Sequence, residues 1–173
     1  MVADQALDCI RAVHDCGFVH RDIKPENFCV RHEDSNRLCI VDFGLSKRFR
    51  SSTDVHIPHR MGKGLLGTPR YTSVRCHEGH EQSRRDDMES FLFMLLYLYR
   101  PGLPWQGTRH KDKKKKYRAI LQKKKRSIES GELFQDLGAP FATLLQEQVR
   151  DLRFDEEPNY KRIRSTLRRI LHR

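Results

Sequence analysis

Four polar side chains near the start of the chain have the types and spacing needed to transfer a phosphoryl group. Asp22 and Lys24 stand close together, Asn27 follows, and Asp42 opens the tripeptide Asp42-Phe43-Gly44. Phosphoryl transfer needs a positioned acceptor and neutralisation of the charge on the transferred group, and little covalent help from the protein. We therefore expect Asp22 to orient an acceptor hydroxyl or to take its proton, and Lys24 to contact the terminal phosphate of a nucleotide.

The amide of Asn27 and the carboxylate of Asp42 are candidate metal ligands. Both supply hard oxygen atoms, and Mg²⁺ is usually held by one or two such groups together with water and substrate phosphates. Gly44 allows the backbone to turn sharply just after the second ligand. The sequence predicts a Mg²⁺ site shared by two neighbouring loops, with Lys24, Asn27 and Asp42 also serving the bound nucleotide.

The elements around these residues are a helix and a small hairpin. Before Gly17, a natural helix stop, apolar residues recur at helical spacing: Ala6, Leu7, Ile10 and Val13. Two short apolar runs follow, Phe28–Val30 and Leu38–Val41, with a polar stretch between them. This pattern predicts a hairpin that carries Asn27 at one end and Asp42 at the other.

The second half of the chain is predominantly helical in pattern. Residues 48–75 are rich in Gly, Ser and basic residues and predict a long functional loop. Asp86 or Asp87 is predicted to open a buried central helix that runs to Tyr99. Pro140 and Pro158 are each predicted to start an amphipathic helix, the first bearing Phe141, Leu144, Leu145, Val149 and Leu152, the second Ile163, Leu167, Ile170 and Leu171. The predicted fold class is mainly α, a helical bundle around a buried central helix with a small β-hairpin at the cleft.

The catalytic segment resembles the signature of protein kinases. That signature combines the run from His20 to Asn27, which reads HRDIKPEN, with Asp42-Phe43-Gly44 across a hairpin. The resemblance implies ATP and Mg²⁺ as cofactors. Lys24 in this context points to serine and threonine as acceptors, because tyrosine kinases carry a different pattern at this place. Single halves of the signature are modest evidence, whereas both in order are strong evidence.

Later segments are similar to casein kinase 1 in particular. The matching stretches are 56–58 (HIP), 67–71 (GTPRY), 81–90 (EQSRRDDMES), 103–107 (LPWQG) and 152–155 (LRFD). Residues 1–173 therefore resemble the C-terminal lobe of such a kinase. The glycine-rich loop, strand lysine and hinge of a complete kinase have no counterpart in this sequence. We accordingly expect a fragment or truncated form whose activity alone is doubtful.

The casein kinase 1 resemblance also implies roles for residues outside the four already named. Thr68 is expected to hydrogen-bond toward Asp22 and Lys24 and to help admit the substrate hydroxyl. Asp87, with His20 and Arg21, is expected to hold the backbone of the catalytic loop in shape.

The same resemblance implies an anion-binding part of the substrate site. Arg70 and Lys116 match a pair of cations that grips a phosphate, and Lys63 lies on a loop that contributes to substrate binding. Charge-assisted hydrogen bonds of this kind suit protein substrates that are acidic or already phosphorylated. A surface ion pair remains the alternative for Arg70.

The charge of the chain implies an acidic partner without identifying it. Thirty-four basic and 23 acidic residues give a net charge of +11. The lysine-rich runs at 111–116 and 123–126 are open to several interpretations: a solvated basic face, a nuclear-import signal, a tubulin- or nucleic-acid-binding patch, or part of the anion site. Because basic and aromatic residues do not interleave as in nucleic-acid readers, we do not expect nucleic acid as the main partner.

Two further expectations concern location and cysteine chemistry. The sequence shows no signal-peptide pattern and no apolar run near the ~20 residues of a membrane helix, so we expect a cytoplasmic or nuclear protein and no membrane partner. The five cysteines show no CxxC pairing and are expected to be reduced, buried thiols. The main alternative to a kinase is a non-catalytic binding module that captures acidic or phosphorylated proteins through Lys63, Arg70 and Lys116.

Overall fold

The computed structural model describes residues 2–32, 34–100 and 102–171, without the side chain of residue 171. The helices are α1 (Val2–Asp15), α2 (Val74–His77), α3 (Arg84–Tyr99), α4 (Lys113–Glu129), α5 (Ala139–Leu145) and α6 (Tyr160–Leu171). The strands are β1 (Phe18–Val19), β2 (Phe28–Val30), β3 (Leu38–Ile40) and β4 (Lys47–Arg48). Short 3₁₀ turns at Pro25–Asn27 and Glu132–Phe134 and a π-helical turn at Gln146–Arg150 complete the elements.

Helix α1 forms where the apolar spacing predicts it. Its buried face consists mainly of Ala3, Ala6, Leu7, Ile10 and Val13. This face packs against β3, α3 and α6, which removes its apolar side chains from water. Gly17 follows with a φ of 80°, a left-handed conformation that favours glycine, and the helix ends there as predicted.

The hairpin of β2 and β3 is antiparallel and brings together the chain segments of the two predicted metal ligands, Asn27 and Asp42. Cys29 lies opposite Cys39, with Phe28 opposite Ile40. The Val41 N–H continues the ladder by donating to the Asn27 carbonyl at 2.9 Å, although β3 itself ends one residue before the predicted limit. A second two-stranded sheet pairs β1 with β4 and ties the segment after the metal loop back to the end of α1.

Helix α3 is the buried centre of the fold. Every residue from Arg84 to Leu96 is buried. The helix begins before the predicted Asp86 or Asp87, because Asp86 acts inside the first turn, where its carboxylate accepts a hydrogen bond from the Ser83 N–H at 2.9 Å. The predicted end at Tyr99 is correct, and the last turn emerges into solvent with Leu98 and Tyr99 exposed.

The lysine-rich segment, for which the pattern predicted no helix, forms the 17-residue helix α4. Asp112 caps it by accepting from the Lys115 N–H at 2.8 Å. Within it, the buried side chains are Ile120, Lys124 and Ser127. Lysine has good helix propensity, which explains why the helix forms. Sequence reasoning missed it because its apolar stripe is too narrow to stand out in the pattern.

Helix α5 ends earlier than predicted, and helix α6 begins later than predicted. Helix α5 stops at Leu145 and gives way to the π-helical turn, so Leu152 lies beyond both. Helix α6 begins two residues after Pro158 and buries Ile163 and Leu167. The mainly α fold class, a kinase-like C-terminal-lobe bundle around a buried central helix with a small hairpin, is confirmed.

Candidate active site

The carboxylate of Asp22 accepts three hydrogen bonds, which come from two segments of the chain. Lys24 Nζ donates to Asp22 Oδ2 at 2.6 Å, and both the N–H and the hydroxyl of Thr68 donate to Oδ1 at 2.8 Å. Burial by itself raises the pKa of Asp22, but the hydrogen bonds from Lys24 and Thr68 outweigh it, and the pKa lies below its ordinary value. The group is therefore an ionised, oriented carboxylate.

Lys24 forms the other half of this charge pair. Its hydrogen bond to Asp22 raises its pKa above the ordinary value, against a smaller opposing effect of burial, and Asp42 adds to the rise. The ammonium thus stays charged at neutral pH between the carboxylate of Asp22 and that of Asp42. A cation in this position can contact a phosphate oxygen and neutralise charge that develops during transfer.

Asp87 supports the backbone of the loop that carries Asp22. One carboxylate oxygen accepts from the His20 N–H at 2.7 Å and the other from the Arg21 N–H at 2.8 Å. The side chain is fully buried at the start of α3. Since an unpaired buried carboxylate is costly, these bonds fix both the carboxylate and the loop.

His14 also contacts Asp87, and sequence reasoning did not predict this contact. His14 Nε2 lies 2.9 Å from Asp87 Oδ2, and Nδ1 lies 2.7 Å from the hydroxyl of Tyr160. A neutral ring protonated on Nε2 satisfies both contacts, because it donates to the carboxylate and accepts from the phenol. The contacts join α1, α3 and α6 beneath the catalytic loop. The only sequence signal is that His14 neighbours the buried stripe of α1.

His20 and Arg21 connect the catalytic loop to the loop that follows β3. His20 Nε2 donates to the Val41 carbonyl at 3.0 Å, and its Nδ1 accepts from the Asp22 N–H at 3.3 Å. Arg21 adopts a φ of 69°, and its Nε donates to the Leu45 carbonyl at 2.6 Å. The predicted supporting residues therefore contact the structures that carry Asp22 and Asp42.

Gly67 permits the close approach that places Thr68 against Asp22. Its φ is 92°, and a Cβ added there would lie 2.4 Å from the Arg21 carbonyl oxygen. Thr72 stabilises the same turn by donating from its hydroxyl to the Thr68 carbonyl at 2.8 Å. The sequence resemblance marked Thr68, but the requirement for glycine beside it is visible only in the structure.

Asn27 and Asp42 carry the oxygen donors that are predicted to hold Mg²⁺. The Asn27 amide donates to the Asp22 carbonyl at 2.8 Å, so its buried Oδ1 is the atom available to a cation. Asp42 has a φ of 64° and an exposed side chain whose Oδ1 accepts from the Gly44 N–H at 3.3 Å. In the described part of the chain no three His, Cys, Asp or Glu side chains cluster as metal ligands. Two oxygen donors fit an ion that keeps several waters and binds substrate phosphates.

Lys63 is placed beside a carboxylate. Its Nζ lies 3.5 Å from Glu81 Oε2, and Lys47 Nζ lies 3.0 Å from the same oxygen. Burial raises the pKa of Glu81, but the two lysines outweigh it and hold the pKa below its ordinary value. Lys63, one of the cations expected to bind substrate, is thus already paired within the protein. It lines a cleft of about 330 Å³ together with Lys47 and Arg21.

Arg70 and Lys116 are not joined by any contact in the described residues. Arg70 lies over the rings of Tyr97 and Tyr71, with its guanidinium carbon 5.1 and 5.7 Å from the ring centroids. Lys116 lies in the exposed first turn of α4. The expected cation pair therefore stays a prediction, while Arg70 is the better anchored of the two.

Lys124 lies behind the turn that carries Thr68, and sequence reasoning did not identify it. It is fully buried, its Nζ donates to the Thr72 carbonyl, and it lies 5.0 and 5.1 Å from the ring centroids of Phe93 and Trp105. Burial lowers its pKa to about 7, against the attraction of Glu89. Through Thr72 it supports the turn that presents Thr68.

One comparison with known protein families bears on this site. Residues 1–168 match the family model described as protein kinase domain. The match covers the segment around Asp22, the loop of Asp42 and all six helices up to residue 168. No helix among the described residues has the length and apolar character needed to cross a membrane.

Proposed function

Since the chain belongs to the protein kinase domain family, we propose that it is a serine/threonine kinase of the casein kinase 1 type. In this proposal residues 1–173 form the C-terminal lobe of the kinase domain. The reaction is transfer of the ATP γ-phosphate to Ser or Thr of acidic or pre-phosphorylated proteins, in the cytoplasm or nucleus. Kinase chemistry in general follows from the family, and the subtype rests on the segments quoted above.

The observation that carries the proposal is the convergence of Lys24 and Thr68 on the carboxylate of Asp22. A substrate hydroxyl that approaches Asp22 would meet an ionised acceptor whose position is fixed from two sides. Asp22 would orient that hydroxyl and receive its proton, and Thr68 would shape its entry. Lys24 would then contact the transferred group while remaining near Asp22.

Asn27 and Asp42 would hold Mg²⁺ at the phosphates of ATP. When bound, the ion supplies neutralisation of the charge on the phosphate oxygens. The chain's contribution is to place its two oxygen donors at the open end of one hairpin, where Asn27 precedes β2 and Asp42 follows β3. His20 is bonded to the carbonyl just before Asp42. Motion of either ligand is thereby opposed by the catalytic loop itself.

Exposed apolar side chains beside the site support the assignment to one lobe of a larger domain. Val30, Val41 and Phe43 are 58%, 36% and 49% exposed. Apolar surface of this kind on the face next to a nucleotide site is suited to contact with another lobe. The proposed domain assignment therefore accounts for the exposure of these three side chains.

The substrate preference is proposed from charge and from the anchored position of Arg70. The net charge of +11 favours acidic partners. Arg70 presents its guanidinium from a platform of two tyrosine rings, and guanidinium groups bind phosphate through paired hydrogen bonds. Lys63 and Lys116 would add charge around it.

A phosphate-transfer assay with matched variants tests the proposal. The chain, and the longest natural form that contains it, are incubated with labelled ATP, Mg²⁺ and either casein or an acidic serine peptide. We expect transfer to serine that Asp22→Asn and Asp42→Ala each abolish, while Asp136→Asn, an exposed control, has no effect. Absence of transfer by both forms, or transfer that survives Asp42→Ala, would remove the proposal.

A binding module without catalysis is the second candidate, favoured by the aromatic platform that holds the Arg70 guanidinium. A labelled phosphopeptide and its unphosphorylated version distinguish it. Phosphate-dependent binding that is lost in Arg70→Glu, with no phosphate transfer in the assay above, would support the module. Equal binding by both peptides would count against it.

A further inference from the structure

We propose that Cys29 and Cys39 are a redox-modification site that closes to an intramolecular disulfide when the protein meets a two-electron thiol oxidant such as a peroxide. The inference concerns the hairpin that joins Asn27 to Asp42. It does not depend on the proposed function, since the pair lies outside the residues assigned to phosphoryl transfer.

The register of the hairpin places the two cysteines directly opposite each other. Cys29 in β2 pairs with Cys39 in β3, flanked by the pairs Phe28–Ile40 and Val30–Leu38. Residues opposite each other in an antiparallel pair point to the same face of the sheet, with Cα atoms about 4.5–5.5 Å apart. A disulfide spans Cα atoms about 4.4–6.8 Å apart. The backbone therefore meets the distance requirement without a change of register.

The thiol of Cys39 already lies across the ladder. Its Sγ donates to the Cys29 carbonyl at 3.4 Å. Cys29 is exposed and Cys39 is half-buried, so an oxidant in solution can reach the pair. The expectation that the cysteines are buried is wrong for these two and for Cys16, and it holds for Cys76.

Cys9 is the nearest rival of this pair, because it lines the same cavity as Cys39. Cys29 and Cys39 share one face because they are register partners, and Cys39 also lines the cavity shared with Cys9 and Cys16. Cys9 comes from α1, which packs on β3, and its Sγ donates to the Leu38 carbonyl at 3.5 Å.

Thiol ionisation disfavours the other candidates. Burial, with a contribution from neighbouring Cys39, raises the pKa of Cys9. Burial raises the pKa of Cys76 to about 11. Because the thiolate is the reactive form, the raised pKa slows oxidation of both thiols. Cys16 is exposed, but it sits just after the end of α1 rather than in the hairpin.

The chemical step balances with peroxide as the oxidant. One thiolate attacks a peroxide oxygen, the O–O bond breaks, and a sulfenic acid and water form. The thiolate of the other cysteine attacks that sulfenic sulfur, the S–S bond forms, and a second water leaves. The two thiols lose two electrons and two protons in total, and the peroxide gains them. A dithiol reductant reverses the step by exchange.

The disulfide would link the strands that carry the two candidate Mg²⁺ ligands. Asn27 lies two residues before Cys29, and Asp42 lies three residues after Cys39. A cross-link at this point fixes the register of the strands between them, because slippage by even one residue becomes impossible.

Tryptic mapping after brief oxidation tests the inference, because each cysteine falls in a different peptide. Trypsin cleaves after Arg31, Arg37 and Lys47, so Cys29 lies in peptide 22–31 and Cys39 in peptide 38–47. The other three cysteines lie in peptides 1–11, 12–21 and 76–84. The chain is treated with dilute hydrogen peroxide, alkylated, and digested without reduction. We expect a linked pair 22–31/38–47, loss of two hydrogen atoms from the intact mass, and a fall from five free thiols to three.

Matched variants and a denatured sample complete the experiment. Cys29→Ser and Cys39→Ser should each abolish the link, Cys16→Ser should retain it, and urea should replace it with a mixture of pairings. Dithiothreitol should restore five alkylatable thiols. A dominant link between 1–11 and 38–47, or sulfinic acid on separate cysteines without a cross-link, would overturn the proposal.

Discussion

The catalytic loop and the basic face, by which we mean Lys63, Arg70 and Lys116, hold their charged groups in opposite ways. Around Asp22 and Asp87 each carboxylate is buried and receives hydrogen bonds from the backbone and from side chains of known position. On the basic face, Lys116 is exposed, Lys63 leans on Glu81, and Arg70 rests on aromatic rings. The first region is fixed by buried hydrogen bonds, whereas the cations of the second are partly or fully exposed and accessible to a ligand. Changes in the first should therefore alter stability, and changes in the second mainly binding.

The largest effect is expected for Asp87→Asn. The substitution replaces a carboxylate that accepts from two backbone N–H groups and lies beside His14, and an amide can satisfy only part of that set. We expect a loss of about 3–5 kcal/mol in the free energy of unfolding, as for one partner removed from a buried charged network. Urea denaturation measures it. Asp136→Asn, at an exposed ion pair, should cost less than about 1 kcal/mol; equal losses would erase the contrast between the regions.

Gly67→Ala should give the next largest effect. Its φ of 92° disfavours a side chain, and the added Cβ would lie 2.4 Å from the Arg21 carbonyl oxygen. We expect destabilisation of about 2–4 kcal/mol, from backbone strain and displacement of the turn that holds Thr68. Gly64→Ala is the matched control, since nothing lies within 4 Å of a Cβ there. A neutral Gly67→Ala variant would show that the close approach to the catalytic loop is dispensable.

The buried Lys124 should make stability depend on pH. Its pKa is about 7 in the folded chain, against 10.5 for an ordinary lysine. Between these values the unfolded chain binds more protons than the folded one, so stability rises with pH. Below pH 7 both states are protonated, and the full cost of burying the ammonium remains.

Comparison with Lys124→Met isolates this contribution. From pH 7 to 9 the free energy of unfolding of the natural chain should rise relative to that of Lys124→Met, by up to about 1.4 kcal/mol per pH unit. Lys123→Met, at an exposed neighbour in α4, should track the natural chain at every pH. A constant difference between the natural chain and Lys124→Met would mean that Lys124 keeps its proton when buried.

Substitutions on the basic face should have the smallest effect on stability. Arg70→Gln and Lys116→Gln are each expected to change the free energy of unfolding by less than about 1 kcal/mol, because these groups are partly or fully exposed. They should nevertheless weaken binding of a phosphopeptide. A loss of stability as large as that of Asp87→Asn would show that the two regions are not distinct.

Sequence reasoning predicted which polar side chains come together where they lie in one short segment of the chain. Asp22, Lys24 and Asn27 lie within six positions of one another, and the hairpin that brings Asp42 to them is itself short. Apolar periodicity likewise predicted α1 and α3, because their buried faces are wide enough to be visible in the pattern.

The residues that sequence reasoning missed act across long separations or through shape. His14 meets Asp87 over 73 positions, and Lys124 meets Thr72 over 52. A lone histidine and one lysine among many carry no signal of such contacts. The glycine requirement at position 67 arises from the approach of two loops, and the end of α5 in a π-helical turn has no pattern of its own. Only the packed structure sets these features.

The most direct test of the central claim is paramagnetic relaxation by Mn²⁺, a substitute for Mg²⁺, in the presence of ATP. Amide signals of the labelled chain are recorded as Mn²⁺ is added in small amounts. If Asn27 and Asp42 hold the ion beside Asp22 and Lys24, signals of these residues should broaden first, and Asp42→Ala should remove the effect. Broadening centred on Glu81 or on the acidic residues of other surfaces, unchanged in Asp42→Ala, would contradict the account.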